Sequence, residues 1–239
     1  MNNKTAIVTG ASSGIGLGVT LALLERGYRV VAVARDPARA RQLRASPDLA
    51  IVAGDVGKRT TAERAAAAAR DFGGLDLLVN NAGVFMAKPF TDYAEDDFAL
   101  LMSTNVAGFF HMTQQALRLM AAGKGGHIVN ISTSLVTQPV AGVPSALAIL
   151  TKGGLEAATR SLAIEYAAQG IRVNTIAAGI TDTPMHASET HEFLRGLSPA
   201  KRLGTVEEMA DAVLFLDGAT FVSGEILHID GGAHAGKWS

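Results

Sequence analysis

Short apolar runs alternate along the chain with longer alanine-rich segments. Most of these runs are continuously apolar and rich in β-branched residues, instead of alternating between apolar and polar positions. Strands have this pattern when helices cover both of their faces, so the runs predict the buried strands of a parallel sheet. The runs are Thr5–Val8, Val30–Val33, Ala50–Val52, Leu75–Val79, His127–Ile131, Ile171–Ile176 and Ile226–Ile229.

The segments between these runs favour helices, and the one from Thr61 to Arg70 contains five consecutive alanines. Regular alternation of strand and helix predicts an α/β fold of the Rossmann type: a doubly wound parallel sheet of about seven strands, with helices on both faces. No linker, repeat or block of charge divides the 239 residues, so we expect a single domain over residues 1–239.

The composition excludes several classes of binding partner and several kinds of chemistry. The formal charge of -1 gives no electrostatic basis for binding nucleic acid or an anionic membrane, and no apolar run is long enough to span a bilayer. The chain has no cysteine, and no His/Asp/Glu cluster has metal-ligand spacing, so neither a disulfide nor a metal site is predicted. Met1–Lys4 enters the first strand without the apolar core of a signal peptide, which favours a cytoplasmic protein.

The first strand ends in a glycine-rich turn that precedes a helical pattern. Its glycines are Gly10, Gly14 and Gly16, in the spacing Gly-x3-Gly-x-Gly. Glycines in such a turn allow a sharp bend, a close approach to phosphate and tight packing of helix on strand. The start of the following helix offers free N–H groups to a pyrophosphate. The position between a first strand and a first helix therefore favours binding of a dinucleotide.

This turn, Thr-Gly-x3-Gly-Ile-Gly, resembles that of the short-chain dehydrogenase/reductase family, and further motifs of the family follow it in the family's order. One departure is Ala178, which stands where the family has proline. The further motifs are Asp55-Val56, Asn80–Gly83 (Asn-Asn-Ala-Gly), Asn105, Asn130–Ser134, Ala178–Met185 and Val222–Gly232.

The resemblance implies a nicotinamide dinucleotide, a small-molecule substrate and assembly as a homodimer or homotetramer. It also implies a set of residues that contact the cofactor. They are Gly10, Ser12, Ser13, Gly14, Ile15, Gly16, Arg35, Asp55, Val56, Asn81, Ala82, Gly83, Ile131, Lys152, Gly179, Thr181 and Thr183.

The end of the second strand decides between the two dinucleotides in this family. Ala34 stands where NAD-preferring members carry aspartate, and the next residue is Arg35. A guanidinium can donate two hydrogen bonds to a 2′-phosphate, so NADP(H) is the preferred cofactor. Asp36 leaves NAD(H) as an alternative cofactor, because a shift of two residues in the alignment with the family would bring its carboxylate to the ribose. Asp36 is equally suited to cap a helix that begins at Pro37, and Arg35 to an ordinary surface position.

The resemblance also implies a catalytic set, and the chain departs from it. Family members carry a tyrosine four residues before a lysine, so that both lie on one helix face, together with a serine and an asparagine. Lys152 matches the lysine and Asn105 the asparagine, but Ala148 occupies the tyrosine position. Thr133 matches the serine, with Ser134 beside it as a second hydroxyl.

None of the chain's three tyrosines, Tyr28, Tyr93 and Tyr166, falls at the expected place on the helix. Another proton donor is therefore needed, and the candidates are Lys152 acting through the ribose hydroxyl, a water molecule, or His186. An imine substrate that carries its own charge would need no such donor.

Two hypotheses follow from these departures. The first is an NADP(H)-dependent oxidoreductase that acts on a small carbonyl, alcohol or imine compound with a non-standard proton donor. The second is a catalytically inactive NADP(H)-binding sensor or structural subunit. The segment at about residues 186–203 resembles the family's substrate lid.

Overall fold

The computed structural model describes residues 4–36, 38 and 43–236. The strands are β1 (Thr5–Thr9), β2 (Arg29–Ala34), β3 (Leu49–Ala53), β4 (Leu77–Asn80), β5 (Gly126–Thr133), β6 (Ile171–Ala178) and β7 (Ile226–Ile229). The helices are α1 (Gly14–Glu25), α2 (Arg59–Asp71), α3 (Glu95–Leu101), α4 (Gly108–Ala122), α5 (Ala146–Glu165), α6 (His191–Gly196) and α7 (Val206–Gly218). Pro37, where the sequence suggests a helix start, lies outside the described residues.

The strands form one parallel sheet in the order β3-β2-β1-β4-β5-β6-β7 within the described part of the chain. The order reverses between β1 and β4, so the crevice between their carboxyl ends is the place where a fold of this type binds ligands. The predicted doubly wound α/β fold is confirmed.

The continuous apolar runs are explained by burial of both sheet faces. In β1, Ala6 and Val8 belong to a cluster with α1 and α7, whereas Ile7 belongs to a second cluster with α2, α4 and α5. The alanines of α2 that face the sheet are buried, and their small side chains let that helix lie close to the strands. None of the helices in the described ranges is long and apolar enough to cross a membrane.

A network of polar side chains lies at the edge of the sheet where the strands begin. The Asp217 carboxylate, on α7, accepts hydrogen bonds from Lys4 Nζ at 2.8 Å and from the buried Tyr28 hydroxyl. Asn174 Nδ2 donates to His127 Nε2 at 3.0 Å, and His127 Nδ1 lies 3.6 Å from the same carboxylate. Burial opposes ionisation of Asp217, but these neighbouring donors hold its pKa well below the ordinary value.

A candidate active site at the carboxyl edge of the sheet

A cavity of about 910 Å³ lies along the opposite edge, where the strands end. It reaches from the ends of β2 and β3, past the turn after β1, to the loops that follow β4, β5 and β6. Nearly all of the predicted site residues line it. They are Gly10, Ser12, Ser13, Gly14, Ile15, Arg35, Asp55, Val56, Asn81, Ala82, Gly83, Ile131, Thr133, Ser134, Lys152, Gly179, Thr181 and Thr183.

The glycine turn requires glycine for two different reasons. Gly10 and Gly14 have φ angles of 67° and 52°, a conformation that other residues rarely adopt. Gly16 does not line the cavity, and a Cβ atom there would clash with Gly10 and Asn81, so it permits close packing of α1 on the turn. Ser13 precedes α1 without a side-chain capping hydrogen bond. The helix start thus offers N–H groups to the cavity.

Asn81 joins the end of β4 to the turn after β1. Its Nδ2 atom donates to the Thr9 carbonyl at 2.8 Å, while the Thr9 hydroxyl accepts from the backbone N–H groups of Asn81 and Ala82 at 3.0 and 2.9 Å. These bonds cross from one strand to its neighbour and fix the two walls of the crevice against each other.

Asn105 lies behind the cavity wall and is almost fully buried. It occupies a π-helical turn, Met102–Ala107, that joins α3 to α4. Its amide accepts from Val84 N at 2.8 Å and donates to Val84 O and Thr151 Oγ1, both at 2.9 Å. The Asn105 side chain therefore connects the loop after β4 to α5. The wider π-helical turn places Asn105 where it can make both contacts.

Lys152 is the only lysine among the described residues that line the cavity. Its Nζ atom donates to the Ile131 carbonyl at 2.8 Å. Burial lowers the pKa of Lys152 to about 8, because the charged amine has lost most of its contact with water. A Cβ atom on Gly83 would lie 2.7 Å from Nζ, so glycine at that position makes room for the amine.

The predicted hydroxyl groups lie next to this lysine at the end of β5. Thr133 Oγ1 accepts from Leu135 N at 3.3 Å, and Ser134 is buried in the cavity wall. A third hydroxyl, which the sequence analysis missed, belongs to Ser132. It donates to Glu156 Oε1 at 2.7 Å, and Glu156 is buried one helical turn after Lys152 on α5. The spacing of Lys152 and Glu156 on one helix face was the available signal.

Ala148 is fully buried outside the cavity wall. It packs in a small cluster with Leu101 and Leu147, against which the loop Val84–Met86 and Tyr93 also pack. The Tyr93 hydroxyl donates to the Met86 carbonyl at 2.7 Å, which holds this loop in place. Among the described residues, no tyrosine lines the cavity.

The segment after β6 forms the outer wall. Thr183 packs against Gly14, and His186 lines the cavity beyond it. Burial lowers the pKa of His186, and the neighbouring His191 lowers it further, so the imidazole is held towards its neutral form. His191 begins α6, and its Nε2 atom lies 3.8 Å from a carboxylate oxygen of Asp182.

The other end of the cavity is polar. Arg35 is exposed there, and Asp36 beside it accepts a hydrogen bond from the backbone N–H of Ala38 at 3.0 Å. This contact is the local turn geometry of an aspartate that caps a following segment. The Asp55 carboxylate accepts from Gly57 N at 2.9 Å and is fixed in the same way.

Comparison with known proteins assigns the family. Residues 10–234 match the family described as Enoyl-(Acyl carrier protein) reductase. The 3-oxoacyl-[acyl-carrier-protein] reductase of Vibrio cholerae is 34% identical over 98% of each chain. The chain belongs to the short-chain dehydrogenase/reductase family. Membership places it among oxidoreductases that bind nicotinamide cofactors.

Two further members of the family indicate its breadth. The cis-4-hydroxycyclohexanecarboxylate dehydrogenase of Sinomonas cyclohexanicum is 38% identical over 96% of each chain. The crystal structure of a 3-ketoacyl-(acyl-carrier-protein) reductase from Brucella melitensis, complexed with NADH, superposes with a TM-score of 0.90. That protein is 30% identical, and the match covers 97% of this chain and 98% of the other.

Proposed function

We propose that this chain is an NADP(H)-dependent oxidoreductase acting on a small carbonyl, alcohol or imine compound. The observation that carries the proposal is the position of Lys152. The Lys152 amine lies beside Gly83, burial lowers its pKa to about 8, and it shares one cavity with the glycine turn and with the hydroxyls of Thr133 and Ser134. A purely structural protein would have no use for a buried amine held by one carbonyl.

The cavity has the features that a nicotinamide dinucleotide needs. The turn from Gly10 to Gly14 and the uncapped start of α1 suit the pyrophosphate. By resemblance to the family, we assign Asp55 and Val56 to the adenine and Lys152 to the nicotinamide ribose. When bound, the cofactor supplies or accepts the hydride, and the protein contributes orientation and electrostatics.

Arg35 supports the choice of NADP(H). It is an exposed cation at the end of β2, on the cavity wall, and a planar guanidinium matches a phosphate well. Asp36, the alternative that favoured NAD(H), accepts a hydrogen bond from Ala38 in a local turn. Its carboxylate therefore has a structural role independent of the ribose.

The proposed chemistry uses a proton donor other than a tyrosine at position 148. The hydroxyl of Thr133 or Ser134 donates to the substrate oxygen and so orients it. His186, on the outer wall, and Lys152 remain candidate donors. General acid catalysis is typically worth about 10²–10⁴-fold in rate, so a ketone would turn over slowly without a well-placed donor.

A second candidate function is binding of NADP(H) without turnover, as a sensor or a structural subunit. The packing of Ala148 in a buried cluster outside the cavity wall favours it, because position 148 then presents no proton donor to the cavity.

Single-turnover oxidation of bound NADPH distinguishes the two. Ketones, aldehydes and cyclic imines are mixed with the NADPH complex, and the loss of the reduced cofactor is followed, with Lys152→Ala as the comparison. We expect oxidation that depends on both substrate and Lys152. Tight NADPH binding without oxidation across the panel would favour the second candidate.

A further inference from the structure

The two halves of the cavity differ in charge. Towards β2 and β3, the wall carries Arg35, Asp36 and Asp55. Beyond Lys152, towards β5 and β6, the wall is built by the loops that follow β4, β5 and β6, and its character changes. We call this second region the apolar half.

Each of the three loops contributes apolar side chains to the apolar half. Together these side chains supply most of the lining that the three loops give to the cavity. The lining side chains are Val84 and Phe85 after β4, Leu135, Val140 and Val143 after β5, and Met185, Phe193, Leu194 and Leu197 after β6.

The polar groups of the apolar half are few and uncharged or weakly charged. Among the described residues, these three loops contribute only Asn81, Gln138, Thr181, His186 and Ser198 to the wall as polar side chains beyond Thr133, Ser134 and Thr183, and they contribute no lysine, arginine, aspartate or glutamate. Apart from Asp36 and Asp55, Asp230 is the one carboxylate among the described residues on the cavity wall, and it accepts from the backbone N–H groups of Gly232 and His234 and from the His234 ring.

A charged group on a substrate would therefore lose its water in the apolar half without gaining a partner of opposite charge. Burial of an unpaired charge in apolar surroundings is among the costliest events in proteins. An apolar body has the opposite balance, since it removes hydrophobic wall from water. Met185 and Phe193, each 59% exposed at the rim, offer further apolar surface that a substrate would cover.

We infer that the substrate is an uncharged carbonyl compound, or the matching alcohol, with a bulky apolar body such as an alicyclic or aromatic ring system. Its oxygen lies at Thr133 and Ser134, and its body lies between the loop after β5 and the apolar side of α6. This inference rests on the proposed function for the identity of the reacting group. The preference for an uncharged apolar body rests on the cavity walls alone.

The test measures binding of two matched ketones to the NADPH-saturated protein by titration calorimetry. They are 4-phenylcyclohexanone and 4-oxocyclohexanecarboxylate, which share the ring and carbonyl and differ in the group at the opposite end. We expect the phenyl ketone to bind at least tenfold more tightly. Equal or tighter binding of the carboxylate, or no binding of either ketone, overturns the inference.

A pair of variants tests whether the apolar half causes the preference for the phenyl ketone. Leu194→Arg introduces a cation into the apolar half on the short helix α6, away from the sheet, and it should reduce the preference at least tenfold. Leu150→Arg is the control, because Leu150 is 63% exposed on α5 and does not line the cavity. It should leave the preference unchanged, and an unchanged preference in Leu194→Arg as well would place the phenyl ketone elsewhere and contradict the inference.

The two proposals fail in different ways. NADPH binding is measured first on the protein alone, and its absence would refute the proposed function. The ketone titrations are repeated without cofactor, and we expect the apolar side chains of the three loops to give the same preference there. Tighter binding of the phenyl ketone without any oxidation of NADPH would support the inferred substrate class. It would count against the proposed function as an oxidoreductase.

Discussion

Charged side chains at the two edges of the sheet differ in how many hydrogen-bond partners the protein gives them. At the edge where the strands begin, Asp217 is surrounded by donors, and Arg172 donates to carbonyls of Leu216, Asp217, Ala219 and Val222. At the edge where the strands end, the half-buried Lys152 donates to one carbonyl, that of Ile131. The first arrangement satisfies its charges within the protein, and the second leaves hydrogen-bonding capacity in an open cavity.

This contrast separates structural polar groups from candidate functional ones. A buried charge with several partners stabilises the fold if the set is complete, whereas a buried charge with few partners costs folding free energy and is retained for another reason. Charged residues at the two edges should therefore respond to substitution with opposite signs. Four predictions test this difference, from the largest expected effect to the smallest.

Asp217→Asn should lower the free energy of unfolding by about 3 kcal/mol, because it removes the charge that Lys4 and Tyr28 donate to. The value lies at the low end for a broken buried pair, since Lys4 is partly exposed and can turn to water. Urea unfolding measures it, and NADPH affinity should stay unchanged. Asp211→Asn, at an exposed position on the same helix, is the control and should change stability little.

Lys152→Met should raise the free energy of unfolding by about 2 kcal/mol while weakening NADPH binding. Burial lowers the pKa of Lys152 from 10.5 to about 8, which corresponds to a cost of roughly 3 kcal/mol for keeping it charged in the fold, and partial exposure of the side chain reduces this cost.

The size of this gain in stability depends on pH. At pH 7 the amine is charged in both the folded and the unfolded chain, so the full cost is present. As pH rises from 8 to 10.5 the folded chain gives up its proton first, the cost disappears, and the gain from Lys152→Met should shrink. Urea unfolding at pH 7 and pH 10 measures both values, with the exposed Lys124→Met as control. A loss of stability at pH 7 would contradict the prediction.

Arg35→Ala should raise the Kd for NADPH about tenfold and change the Kd for NADH by less than about twofold. The reason is the loss of charge-assisted hydrogen bonds to the 2′-phosphate, here at an exposed position where each is worth less. Fluorescence titration with both cofactors measures the ratio, and the exposed Arg118→Ala on α4 serves as control. Equal losses for NADPH and NADH would argue against a role in discrimination.

His127→Gln should make stability less sensitive to mild acid by about 1 kcal/mol between pH 7.5 and pH 5.5. Burial lowers the pKa of His127 in the fold, so the unfolded chain takes up a proton first as pH falls below 6.5. Wild-type stability should therefore decrease over this range, and the variant should lose that contribution. His186 and His228, whose pKa values are also lowered, stay the same in both proteins. Identical slopes would mean that folded His127 is protonated.

The sequence predicted local features well because their chemistry is encoded in neighbouring residues. The glycine turn, the strand ends and Lys152 all depend on short motifs, and the structure places them in one cavity. The fold class followed from continuous apolar runs, since burial of both sheet faces leaves that pattern.

Features that depend on distant contacts escaped the sequence analysis. Asn105 matches the family's catalytic asparagine by sequence, but the partners of its amide, Val84 and Thr151, the latter 46 positions away, could not be predicted. The bond between Ser132 and Glu156 joins a strand to a helix, and the network around Asp217 gathers residues from five parts of the chain. No local pattern encodes such partners, because the fold itself brings them together.

The packing around Ala148 has a consequence for how this site can change during evolution. Tyr93 and the loop Val84–Met86 pack against the small buried cluster that contains Ala148, so we expect little room there for a larger side chain. A single substitution to tyrosine would meet a closed space, and a loop mutation alone would open a void with nothing to gain. The substitution to tyrosine and the loop mutation would each be favourable only in the presence of the other. Natural selection acting one step at a time is therefore confined to building catalysis from the groups that already face the cavity.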